Sequence, residues 1–382
     1  MNNAVDFNKA RKKRQRAHRL KQLLILTGVA VLVLLGVYLS ELLVEQDVST
    51  RLSDTIASFG GTGYPIDLPG GIIRDVGDVG GNLAILNDTN LYIYNKKAKP
   101  TSNIQQVTER TVMRSAKNRV LLYDTGGRKL QIYSPTKALY THNLDDMVIC
   151  ADLGQSGGYV VVTSPKQYVA QVSAYDENYE WQFTWYSSEY VVSGAVLSPR
   201  GDMMAVACID ANGGVLESVI NLFKLNAQEE IAEIRISDEL VVGLDFPGDN
   251  RVTVITERGM HVYDASGKQT GHYELPQQPL IAFESNGRET LLICGERDHG
   301  TQTLVALNEQ AKDKAVAEID QKILDLAINM SDIFILTDTG ITRYNHMIEK
   351  IYALPVTLVQ RIALVSNRIY YLTQNEICLL EE

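Results

Sequence analysis

A strand–turn–strand pattern that recurs eight times, at a spacing near 40 residues, constrains this chain more than any other feature. Each copy opens on a turn residue such as Asn, Asp or Gly, runs through an apolar strand and a polar turn, and ends in a second strand that often closes on Tyr. The copies occupy 82–95, 118–134, 158–176, 202–224, 250–267, 289–308, 332–345 and 367–382. Their leading strands begin at Leu83, Val120, Tyr159, Met203, Arg251, Thr290, Ile333 and Arg368, in steps of 35 to 48 residues. Units of this length, each with room for four short strands, are the blades of a β-propeller. The expectation is therefore an all-β, eight-bladed β-propeller, or a seven-bladed one if one hairpin is an insertion. Each hairpin supplies the two middle strands of a blade, the segment before it the inner strand, and the segment after it the outer strand. A pair of β-sandwiches or a solenoid would not give this even spacing together with a blade shared between the two chain ends.

That shared blade is legible at the termini. The last hairpin runs to Glu382 and leaves no outer strand, while residues 64–69 form a strand-like piece ahead of the first blade. They end in Leu68-Pro69, as the outer strand expected at 348–355 ends in Leu354-Pro355. Residues 64–69 are expected to complete the eighth blade, which leaves no sheet edge open. The propeller then spans 64–382.

Ahead of the propeller the pattern is different. Residues 1–21 carry eight Lys or Arg and one acid, Asp6, for a net +7; the remainder of the chain is net −17. Gln22 to Ser40 contains no charged residue, and Leu42, Leu43 and Val44 extend the apolar run past Glu41. A helix over 22–44 would be about 34 Å long, enough to cross a hydrocarbon core of about 30 Å. A basic flank beside such a span reads as the positive-inside signal rather than as a nucleic-acid arm. The run is longer than the apolar part of a signal peptide and lacks a small-residue cleavage site, so an uncleaved anchor is expected. The organisation is then a cytoplasmic tail over 1–21, a single transmembrane helix over 22–44, a juxtamembrane linker over 45–63, and an extracytoplasmic propeller at a bacterial cell membrane. Within the linker Val48, Leu52, Ile56 and Phe59 fall at helical spacing before Gly60 and Gly61 break it.

With the repeat in place, Val196 to Ala207 resembles the strand–turn–strand of WD40-like and TolB-type propellers. The whole chain resembles an uncharacterised family of single-pass, membrane-anchored propellers of Gram-positive anaerobic bacteria, through its tail, its span, the Gly-Tyr-Pro-Ile entry at 63–66 and the Leu-Leu-Tyr-Asp-x-Gly-Gly turn at 121–127. The resemblance implies fold and topology and no activity.

Residue chemistry argues against the common enzymatic uses of a propeller. The chain has two Trp residues, both in one segment, not the repeated Trp docking motifs of quinone-dependent dehydrogenases, and no sialidase Asp-box. No H-E-x-x-H, calcium loop or G-x-S-x-G occurs. His142, His261, His272, His299 and His346 are dispersed; Asp75, Asp78, Asp145 and Asp146 read as turn acids. Arg200-Gly201-Asp202 reads as a tight turn after Pro199. Cys150, Cys208, Cys294 and Cys378 stand singly in apolar runs and read as buried free thiols. No catalytic residue, metal ligand or cofactor is assigned. No nucleic-acid partner is expected for an acidic propeller outside the membrane.

One local feature points to binding. Tyr179, Trp181, Phe183 and Trp185 alternate along one strand and are expected on one side of it. There they fill the gap between blades or, with Tyr186 and Tyr190 nearby, form a stacking surface for a glycan or a protein. The candidate partner-binding residues are Trp181, Trp185, Tyr186 and Tyr190. The expected function is a non-enzymatic binding or scaffold module for a protein or glycan of the cell envelope, the alternative a wall-polymer hydrolase or lyase using carboxylates in the funnel.

Overall fold

In the computed structural model eight four-stranded antiparallel sheets follow one another along the chain, and in the first seven the strands are hydrogen-bonded in sequence order. The structure describes residues 27, 28, 31 and 48–380, with 106, 212–213, 277 and 297–299 excepted. Blade 1 begins with Ile73–Val79, blade 2 with Thr111–Ala116, blade 3 with Met147–Leu153 and blade 4 with Val191–Leu197. Blades 5 to 8 begin with Val241–Gly248, Leu280–Ser285, Ile323–Ile328 and Val359–Val365. These are the inner strands. The eight hairpins supply the second and third strands, so the repeat translates directly into blades.

The eighth blade is made from both ends of the domain. Ile66–Asp67 lies antiparallel to Glu376–Leu379, pairing Ile66 with Ile377 and Asp67 with Glu376. The Tyr64 ring meets Tyr370 edge-on at 5.0 Å. Its hydroxyl donates to the Asn95 carbonyl of blade 1. The Ser366 amide donates to Asp78, a second tie between blades 8 and 1.

The core is divided as the architecture requires. Strands that alternate around fully buried stretches, such as 83–86, 160–162, 204–208, 291–294 and 333–336, are buried on both faces because each sheet packs on two neighbours. The apolar side chains form eight clusters, one at each junction between adjacent blades. Cys208, Cys294 and Cys378 are buried free thiols inside this packing, and Cys150 is partly buried.

Strictly antiparallel order fixes two faces. The loops between inner and second strands, and between third and outer strands, lie on one of them. Residues 57–65 enter there: Asn95, in the third-to-outer loop of blade 1, donates to the Ala57 and Gly60 carbonyls. The Gly63 amide donates to the Lys97 carbonyl. Gly61 (φ +129°) passes so close that any side chain would collide with that carbonyl. This is the entry face. The loops between second and third strands, and between one blade's outer strand and the next blade's inner strand, form the far face.

Residues 57–382 make one compact unit. A helix, Val48–Ala57, precedes the propeller, with Leu52 and Ile56 exposed. Among the described residues no helix is long and apolar enough to cross a membrane. The tail at 1–21 and the transmembrane helix expected at 22–44 lie outside the described residues, apart from 27, 28 and 31.

Candidate functional site

The inner strands line the central channel, and seven of them place a charged residue in it. In every blade but the second, the pairing of inner with second strand shifts by one residue near its start. Such a bulge twists the strand and re-aims the side chain that follows it. Directly after the shift stand Asp75, Asp325 and Arg361, on blades 1, 7 and 8. Two residues further along stand Asp152, Asp245 and Glu284, on blades 3, 5 and 6, and Arg114 of the unshifted blade 2, paired with Leu121, falls at the same level. Two charged levels therefore share the channel, the first nearer the far face.

Most of these carboxylates are tied to backbone. Asp75 accepts the Val76 amide at 2.9 Å. Asp325 accepts the Leu326 and Ile362 amides, both at 3.0 Å. Asp325 also faces Arg361 at 3.9 Å, and Asp152 faces Arg114 at 3.8 Å. Glu284 makes no hydrogen bond or ion pair among the described residues. Eight inner strands encircle the groups although Asp245 and Glu284 stay open to the channel and Asp75, Asp152 and Asp325 are half-buried, and the encirclement dominates. Burial pushes Asp152 up to about 6, against the pull of Arg114. Burial, with the charges of Asp325 and Asp75, pushes Glu284 up to about 7. Burial also raises Asp75, Asp245 and Asp325.

Asp75 thus corrects the sequence reading of a turn acid: it sits mid-strand, facing the channel. Asp78 does serve a turn, accepting the Gly81 amide. Asp152, Asp245, Glu284, Asp325, Arg114 and Arg361 belong to no motif of the sequence. A signal existed: each is a lone charge in a mostly apolar run, six to eight residues ahead of a leading strand. Among the described residues no group of three or more His, Cys, Asp or Glu is arranged to hold a metal ion.

The four aromatic candidates are not brought together. The expectation that Tyr179, Trp181, Phe183 and Trp185 share one side fails at Gln182. Tyr175 pairs with Trp181 and Ala174 with Phe183, so Gln182 is an extra residue that breaks the alternation. Phe183 and Trp185 pack between blades 3 and 4, on Phe223 at 5.3 and 5.4 Å. Trp181 is exposed at the entry-face end of the strand, its indole N–H donating to Thr184. Tyr179 belongs to a cluster between blades 2 and 3, stacked on Tyr140 at 4.5 Å with Arg119 over its ring. Tyr186 is exposed at the far face and meets Tyr168 at 4.6 Å. Tyr190, in the loop from blade 3 to blade 4, accepts from Arg235 at 2.7 Å, which also binds Glu217 and Glu233. Trp185→Ala should therefore cost about 2–4 kcal/mol of stability and Trp181→Ala under about 1 kcal/mol; equal losses in thermal melting would contradict this placement.

The far face has a second character. Met147, Tyr168, Val169 and Tyr186 of blade 3, Val191, Val215 and Leu216 of blade 4, and Val242 of blade 5 are exposed there, with Ile72, Leu324 and Leu358 further round. Among the described residues its loops hold eleven acids and five bases, whereas those of the entry face hold seven acids and nine bases. The two faces differ in charge, and apolar exposure gathers on the acidic one.

A profile for a family of unknown function, DUF5711, matches residues 74–377, from the inner strand of blade 1 into the last hairpin. The chain belongs to the DUF5711 family. No curated protein matches the DUF5711 chain in sequence. Among solved structures it is similar to BamB from Moraxella catarrhalis, at 11% identity and TM-score 0.54, over 83% of this chain and 98% of that one. It is also similar to Saccharomyces cerevisiae Sqt1, at 8% identity and TM-score 0.61 over 85% of this chain and 100% of that one. The C-terminal WD40 domain of Sif2 aligns over the same shares, at 10% identity and TM-score 0.60. At these identities the likeness places the DUF5711 chain in the propeller fold with WD40-like neighbours and goes no further.

Proposed function

We propose that this DUF5711 protein is a non-enzymatic binding or scaffold module of the cell envelope, anchored by the apolar span at 22–44 and offering its far face to a protein partner. One observation carries the reading: apolar side chains are exposed together on the face opposite the one where the chain enters the propeller. Residues 57–65 run on the entry face and leave the far face uncovered. The anchor rests on the sequence, a +7 tail followed by an apolar stretch long enough to span.

Fractionation tests the anchor. Full-length protein is expected in the membrane pellet and to resist alkaline carbonate, and a chain lacking residues 1–44 to be soluble. Protease added to intact protoplasts should degrade the propeller. Release by carbonate, or protection of the propeller, would sink the proposed topology.

One observation favours a second reading, a hydrolase of wall polymers. Glu284 shares the channel with Asp325 and Asp75, burial and their charges push it up to about 7, and a raised carboxyl among further carboxylates is what glycosidic cleavage uses. Against it, Asp75 and Asp325 are engaged by backbone amides and read as pins for the inner strands. Cleavage of a wall polymer by the pure protein, lost in Glu284→Gln, would decide for the hydrolase.

A further inference from the structure

We propose that the far face over blades 3 to 5 binds a cationic, amphipathic segment of a partner protein. The inference rests on the scaffold reading and adds the partner's chemistry. Met147, Tyr168, Tyr186, Val191, Leu216 and Val242 stand exposed on three consecutive blades, and the Tyr168–Tyr186 pair, its rings tilted by 36°, adds an aromatic element to the patch. Around them Asp145, Glu189 and Asp238 are exposed in loops of the same sector. Asp238 is paired with Arg258, whereas Asp145 and Glu189 make no hydrogen bond or ion pair among the described residues.

The two components select together. Apolar side chains gain only by leaving water, so the occupant must bring apolar groups of its own. The acid excess penalises an anionic occupant and favours Lys or Arg around those groups. An anionic lipid surface or an anionic wall polymer meets repulsion here, and a neutral glycan leaves the acids uncompensated. A segment with Leu- or Phe-type anchors and flanking Lys or Arg satisfies both. Acids on the rim speed encounter, and the buried apolar anchors set how long the complex lasts.

The experiment uses the full-length protein in native membranes, with a photo-cross-linking amino acid placed singly at Val191 or Leu216 on the far face, or at Met330 or Met347 on the entry face. Cross-linked peptides are mapped by mass spectrometry. The expected result is adducts from Val191 and Leu216 to a partner segment of net positive charge, with yield falling at least about tenfold when Asp145→Lys and Glu189→Lys are combined. Asp145→Asn with Glu189→Gln should give an intermediate loss, and unchanged melting shows that both variants fold. Adducts to an acidic or neutral segment, or adducts indifferent to the charge changes, overturn the inference. Adducts from Met330 and Met347 alone overturn it while leaving the scaffold reading intact. No protein adduct from either face overturns both.

Discussion

Ile377→Asp is expected to open the ring, with a loss of melting temperature on the order of 10–20 °C. Ile377 is fully buried, pairs with Ile66, and packs in the cluster that joins blade 8 to blade 1 through Leu83, Ile85 and Tyr370. Aspartate there removes the apolar contacts, at about 2–5 kcal/mol, and buries a carboxylate within an apolar cluster, at several kcal/mol more. The damage reaches beyond one blade because only the pairing of Ile66–Asp67 with Glu376–Leu379 carries the eighth sheet to four strands. Losing it exposes a strand edge and releases the entry segment. Asp67→Ala, at the exposed position of the same short strand, should change stability by under about 0.5 kcal/mol. Thermal melting and limited proteolysis around residues 57–72 would show both effects. An Ile377→Asp protein that melts like the wild type would mean that the ring does not depend on this closure.

The second large effect is a stability that falls as pH rises from 5 to 8. Asp152 and Glu284 have folded-state values near 6 and 7, above the ordinary carboxylate range they return to on unfolding. For groups raised in this way, the folded state binds more protons. Their stabilising contribution is complete below about pH 4 and is lost as pH climbs through 6 and 7. The raised values of Asp75, Asp245 and Asp325 act in the same sense. His142, lowered by burial, opposes the trend as pH falls through the ordinary histidine range, but it is one group against several. Groups held low by hydrogen bonds, such as Glu217, Asp264 and Glu309, lose their contribution only at more acid pH. Glu284→Gln should therefore stabilise the protein at pH 8, by about 1 kcal/mol once screening by channel water is allowed for, and change little at pH 5. Asp325→Ala should do the opposite, costing about 1–3 kcal/mol at either pH, because the Leu326 and Ile362 amides lose their acceptor. A melting temperature that rises from pH 5 to pH 8 would contradict the channel electrostatics.

The two kinds of site were not equally legible. Trp181, Trp185, Tyr186 and Tyr190 stood out by residue type, and alternation put two of them on a common side. One bulged residue, Gln182, cancelled that inference, because a single insertion moves every preceding side chain to the opposite face. The channel charges are hard to read in the sequence for the converse reason. Asp325 in an apolar strand looks like an isolated exception, and its meaning appears only when eight inner strands are set side by side.

Sequence by itself determined the eightfold repeat, the assignment of each hairpin to middle strands, and the contrast between a +7 tail and an acidic remainder, while the eight sheets of the structure settle eight blades over seven. These are local properties: strand alternation, turn residues and charge repeat in each unit and need no partner to be read. Only the tertiary structure decided which residues meet. Asp75, Glu284 and Asp325 are separated by tens to hundreds of residues along the chain, and ring closure gathers them round one channel. The apolar, acidic far face is likewise assembled from loops of different blades, each unremarkable alone. Strand order and antiparallel direction placed those loops on the same side, and no single segment of the sequence carries that information.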